Sequence, residues 1–153
     1  MDVDIYEALS KRLFIDELRL DEEIIELPQL LQDVNEFVAS ATHERDKAQY
    51  DLKLTTADVS REIRAESATS TKRPTEAAIE TEIVLNERVQ QATITYENAK
   101  YVLARWQALS ESVRAKGYAL KNIADLVVSG FITPNALVDR RRTEVYRKRR
   151  KLD

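Results

Sequence analysis

Eight cations fall close together late in the sequence: Arg140, Arg141, Arg142, Arg147, Lys148, Arg149, Arg150 and Lys151. Guanidinium and ammonium groups at this density suit phosphate oxygens, and several such contacts give binding that weakens steeply with salt. The same run reads equally as a solvated face, or as an arm for the acidic residues 1–36 of a neighbouring subunit. A second set, Lys53, Arg61, Arg64, Lys72 and Arg73, leads to the tip of a predicted hairpin. There it is placed to follow a strand of nucleic acid, with plain helix solubility as the alternative. Tyr50, Tyr101, Tyr118 and Tyr146 are available to stack on bases.

Other chemistry is sparse. His43 is the sole histidine and stands beside Glu44 in a helical pattern, where a solvated residue is expected rather than a base or a ligand. The chain has no cysteine, which excludes disulfides, thiolate zinc sites and cysteine nucleophiles. Glu-x-x-His metal motifs and nucleophile elbows are missing, and two glycines are too few for a phosphate cradle. A protein that binds and assembles is expected, not an enzyme, with no cofactor and no metal.

The elements that must position these groups are helices. Two Gly and three Pro in 153 residues cannot supply the turns a sheet protein needs. Ala, Leu, Glu, Arg and Lys, which lose little rotamer freedom in a helix, dominate instead. The predicted class is all-α: a lead-in helix in the acidic residues 1–20, a long antiparallel helical hairpin over 21–130, and a basic helix or tail over 131–153. Residues 3–14 read as the short helix, and Phe14-Ile15-Asp16 as a change of direction with an acid suited to capping. A second helix begins at Asp21, with Glu22 and Glu23 in a first turn that favours carboxylates. Pro28 either kinks it or opens it. It runs to about Glu66 on a seam of Leu31, Val34, Val38, Ala41, Arg45, Ala48, Leu52, Thr55 and Val59, and residues 67–74 form a loop.

The strongest pattern follows. Leu85, Val89, Ala92, Tyr96, Ala99, Leu103, Trp106, Ser110, Val113, Gly117, Leu120, Ala124 and Val127 alternate three- and four-residue steps, the repeat of a left-handed supercoil. Unbroken from Glu76 to Val128, this helix would be about 80 Å long. Gly117 marks either a break or a close helix crossing, and Arg114, Lys116 and Lys121 around it make a phosphate site a lesser alternative. Thr133-Pro134 starts a last helix, roughly 134–149. Two long helices joined by a short loop lie antiparallel. A two-helix hairpin leaves apolar flanks uncovered, so self-association is expected, most simply as a closed ring.

Phe14-Ile15-Asp16, Trp106 and the run Lys116-Gly117-Tyr118-Ala119-Leu120-Lys121-Asn122-Ile123-Ala124-Asp125 resemble the UvsY family, the recombination mediators of large tailed phages. The likeness covers roughly residues 10–130. It implies a ring of six or seven subunits that binds single-stranded DNA in recombination, repair and replication. Such a ring helps load a recombinase onto strand coated by single-stranded DNA-binding protein. The resemblance associates assembly with about Trp106–Val128, and Leu103, Trp106, Val113, Gly117, Tyr118, Leu120, Ile123 and Val127 are the residues expected to carry it. A Lys-Ala-Arg-Leu motif associated with DNA binding is replaced here by Ser60-Arg61-Glu62-Ile63-Arg64, with displaced charges and an intervening acid.

A phage scaffold or coiled-coil adaptor without nucleic-acid affinity fits the hairpin equally, and a basic-tailed transcription regulator is a third reading. Charge is polarised: residues 1–36 carry a net of −8, residues 37–138 balance, and residues 139–153 carry +5. The apolar runs are short of a membrane span, and the acidic start Met1-Asp2-Val3-Asp4 has no signal-peptide core behind it. A cytoplasmic location is expected, in the host cell if the chain is phage-encoded.

Overall fold

The computed structural model describes residues 3–69 and 75–131. Within them the chain forms four helices and no strand: α1 (Val3–Lys11), α2 (Leu20–Thr69), α3 (Glu76–Leu85) and α4 (Glu87–Val128). The all-helical class holds, and the two long helices pack against each other. The predicted basic helix over 134–149 and most of the predicted loop lie outside the described residues.

Local chemistry sets the boundaries. α1 ends at Lys11, three residues sooner than expected, because Arg12, Leu13 and Phe14 donate to carbonyls only three residues back. Asp16 then accepts from the Leu18 amide at 3.1 Å through its side chain and from the Arg19 amide at 3.0 Å through its carbonyl. That double capping turns the chain into α2, whose first turn holds Asp21, Glu22 and Glu23 against the helix dipole. Pro28 lies inside α2 and does not open it. Its ring nitrogen has no hydrogen to donate to the Ile24 carbonyl, and Pro28 itself is exposed. α2 continues to Thr69, past the expected end at Glu66.

The expected unbroken helix over 76–128 is interrupted at Asn86. This residue is extended (φ −65°, ψ 128°) and its amide donates to the Ile83 carbonyl, closing α3. Its side chain accepts from the Arg88 amide at 3.0 Å and its carbonyl from Gln90, opening α4. One asparagine therefore caps two helices. Leu85, placed first on the predicted seam, sits before the break and is 67% exposed. Thr75 caps α3, its hydroxyl accepting from the Ala78 amide.

Packing divides the chain into two units, Met1–Asn35 with Ala108–Asp153, and Glu36–Gln107. The residues 1–20 read as a lead-in fall within the first unit, and the hairpin over 21–130 contributes to both. In the first unit Leu9, Leu30, Val34, Leu109, Val113 and Leu120 are buried. α2 and α4 run antiparallel there, with Glu23 against Lys116 and Asn35 against Ser110, whose hydroxyl donates to the Asn35 side chain at 2.9 Å. In the second unit Val59, Ile63, Ile79 and Val89 form a cluster closed by Leu52 and Ile83. Further along this unit, Phe37 and Trp106 stack with ring centroids 4.5 Å apart. A fully buried valine such as Val34, Val59 or Val113 contributes about 1.5–3 kcal/mol over an exposed one. Both predicted seams face inward from Val34 to Val59 and from Val89 to Val127, but Leu30, not Leu31, is the buried leucine of α2's second turn-pair.

Candidate nucleic-acid interface

Three cationic side chains of the second unit, Lys47, Arg61 and Arg64, share the outward face of α2. Val59, Ala48 and Ala41 define the buried side of this helix. Displaced from them by about half a turn, His43, Lys47, Tyr50, Leu54, Ala57, Arg61 and Arg64 follow one another at alternating steps of four and three, and all are exposed. That spacing places them on a single face. No acid occupies the row. Lys53, also exposed, borders it next to Leu54. Tyr50 and Leu54 are 66% and 50% exposed, so the row offers apolar and aromatic surface between its charges.

Acids stand on the flanks, and several are engaged. Asp46 lies 2.7 Å from Arg45, a residue of the buried seam whose Nε is itself buried. That contact is ionic, since its geometry does not make a directed hydrogen bond. Glu62 accepts two hydrogen bonds from Arg88 of α4, at 2.8 and 3.1 Å. Asp58 accepts from Arg61 at 2.7 Å. Arg64 donates to both carboxylate oxygens of Glu76, and that hydrogen bond, followed by the charge of Glu76, raises its pKa further above the ordinary guanidinium value. Of the predicted contacts, then, Arg61 and Arg64 are exposed but ion-paired, and Lys53 is exposed. Lys72, Arg73, Arg140, Arg141, Arg142, Arg147, Lys148, Arg149, Arg150 and Lys151 lie outside the described residues. Lys47 and Leu54 escaped the sequence reading, although their spacing from Tyr50 and Arg61 was there to be read.

No family model, curated protein or solved structure matches this chain.

The segment around Gly117 belongs to the first unit and is built for packing. A Cβ on Gly117 would lie 3.0 Å from Cδ2 of Leu27, so glycine permits the helix crossing at this point, and α4 continues through it. Lys116 turns inward and is 7% exposed. Its ammonium donates to the carbonyls of Arg12 at 2.6 Å and Phe14 at 3.2 Å, and to the Glu23 carboxylate. Burial pushes the Glu23 carboxyl up, but the hydrogen bonds from Lys116 and the Asp16 amide, with the ammonium charge, hold it below the usual carboxylate range. Arg114 pairs with Glu111 at 2.9 Å, and Lys121 is exposed. The three cations do not converge on a phosphate site.

The predicted assembly residues are divided. Leu103, Trp106, Val113 and Leu120 are buried within one chain; Ile123, Val127 and Gly117 are half-buried; Tyr118 is 73% exposed. Tyr101 is also exposed, whereas Tyr96 is half-buried with the Lys100 ammonium 5.3 Å from its ring centroid. Among the described residues no group of three His, Cys, Asp or Glu is placed to hold a metal ion, and no helix is long and apolar enough to cross a membrane.

Proposed function

We propose that this chain is a non-catalytic, self-associating protein that binds single-stranded DNA and acts as a recombination mediator of the UvsY type. In that role it helps a recombinase onto strand coated by single-stranded DNA-binding protein. The observation that carries the reading is the acid-free row on α2, where Tyr50 and Leu54 lie between Lys47 on one side and Arg61 and Arg64 on the other, all on one exposed face. Cations track a phosphate backbone while aromatic rings stack on bases, a combination that suits unpaired strands and tolerates any sequence. Exposed ion pairs such as Arg61–Asp58 are weak and screened by salt, so a phosphate can displace the carboxylate. Copies of the row in an oligomer would engage one strand at several points and gain affinity by multivalency. The residues 139–151 add eight further cations.

The rival is a structural coiled-coil protein of phage assembly with no affinity for nucleic acid. One observation favours it: over residues 43–64 five bases are balanced by five acids, and two of the row's cations are already paired. Titration of labelled single- and double-stranded oligonucleotides at two salt concentrations separates the readings. A mediator prefers the single strand and loses affinity steeply with salt. A scaffold binds neither form at moderate salt, and a transcription regulator prefers the duplex.

A further inference from the structure

The first unit exposes large apolar side chains where its charge is most negative. Phe14 and Ile25 are 75% and 76% exposed, and Leu18 and Ile24 are 45% and 43% exposed. The exposure of Phe14 does not come from a loose turn, because Lys116 holds its carbonyl and that of Arg12. Ile25 stands on the side of α2 opposite the buried Leu30 and Val34, four residues from the exposed Asp21. The described residues of this unit, 3–35 and 108–131, carry eleven acids and six bases, a net of −5. Four of those bases are spent internally: Lys116 on Glu23, Arg12 on Glu26 and Asp33, Arg19 on Glu22, and Arg114 on Glu111. Glu17 and Asp21 remain exposed beside Leu18 and Ile25.

Residues 139–153 have the complementary composition, eight bases against three acids for a net of +5, with Val145, Tyr146 and Leu152 between the charges. They follow α4 after ten intervening residues, and the last turns of α4 belong to this same unit. Lys116, which touches Glu23, precedes the end of α4 by about 18 Å of helix. Residues 132–138 reach up to about 25 Å when extended, enough to return to the level of Glu23. So short a tether gives a local concentration in the millimolar range, which favours the chain's own segment over that of a second copy.

We infer that residues 139–151 dock in cis on the acidic, apolar surface formed by Leu18, Asp21 and Ile25. Carboxylates pair with the guanidinium groups while Val145 and Tyr146 cover the exposed apolar side chains. A docked segment is unavailable to a phosphate backbone, so any polyanion that binds these cations competes with this surface. The docking itself does not depend on the nucleic-acid reading.

The chain lacks cysteine, so paired thiols report cleanly. In the full chain carrying Ile25→Cys and Val145→Cys, a short bismaleimide is expected to give an intramolecular cross-link, identified by mass at the monomer position. Its rate should fall about tenfold between roughly 0.05 and 0.5 M salt as screening tightens, and comparably when Glu17→Lys and Asp21→Lys are added. Circular dichroism of each variant verifies that the helices remain. Cross-links formed only between chains would overturn the inference. So would a rate insensitive to both salt and the charge reversals, which is the mark of random encounter by a tethered segment.

Discussion

The ammonium of Lys116 on α4 and the carboxylate of Glu23 on α2 form an ion pair inside the first unit, with side chains only 6% and 19% exposed. The same ammonium binds the carbonyls of Arg12 and Phe14, and the same carboxylate accepts from the Asp16 amide at 3.1 Å. One pair therefore fastens the turn between α1 and α2 to α4. Removing one partner of a buried pair typically costs about 3–5 kcal/mol, because the other charge is stranded. Lys116→Met is expected to destabilise the unit by about 3 kcal/mol and to speed amide exchange at residues 12–16. Denaturant unfolding and hydrogen exchange check both, and unchanged exchange in that turn would remove its assigned role.

Glu23 also sets a pH dependence. Its folded pKa is depressed, so the stabilisation is present above the ordinary carboxylate pKa and is lost as pH falls through the folded value. Thermal unfolding at a series of acidic pH values is expected to show the wild-type chain losing stability more steeply than Glu23→Gln. Parallel profiles for the two proteins would mean that Glu23 contributes nothing to the acid limb.

Gly117 and Leu27 make a second coupled pair. Alanine in a helix interior is favoured over glycine by about 1 kcal/mol, but here its methyl would meet Leu27 Cδ2 at 3.0 Å. The two effects oppose each other, and Gly117→Ala alone is expected to shift stability by less than about 1 kcal/mol. In a Leu27→Ala background the obstruction is gone, and the same substitution should then stabilise by about the full propensity difference. A double-mutant cycle measures the coupling, and additive effects would refute the contact.

What the sequence made legible depended on repetition. The seam from Val89 to Leu120 recurs often enough to stand out from a charged background, and those residues do face inward. The break at Asn86 had no such signal, since the step from Leu85 to Val89 keeps the helical spacing and contains neither Gly nor Pro. Lys116 looked like one more surface cation beside Gly117, because its partner is one of several acids in the first turn of α2. The outward row on α2 is legible only in part from charge. Arg61 and Arg64 stand out as cations and Lys53 borders the row, whereas Lys47 and Leu54 belong to it through spacing.

Burial of the seam changes which substitutions report on assembly. Trp106 is 3% exposed and stacked on Phe37, so Trp106→Glu buries an unpaired charge and is expected to unfold its unit rather than merely dissociate an oligomer. Tyr118 is exposed on α4, and Tyr118→Glu is expected to leave helicity and melting temperature within a few degrees of wild type. Circular dichroism paired with sedimentation distinguishes them. If Trp106→Glu remains fully folded, the stacking is not part of the core.

The row on α2 makes the sharpest functional prediction. If strand follows His43 to Arg64, Tyr50→Ala should weaken single-strand binding by about 1–3 kcal/mol through lost stacking, with little change in the salt slope. Lys47→Ala and Lys53→Ala, each removing one phosphate partner, should instead lower the slope of log affinity against log salt by about 0.7 apiece. Arg61→Ala frees Asp58 as it removes a cation, and its loss of affinity should exceed that of Lys47→Ala at low salt, where the released carboxylate repels phosphate most. Salt titrations of the four variants against one single-stranded oligonucleotide test the assignment. Slopes and affinities identical to wild type would place any nucleic-acid binding on residues other than this face.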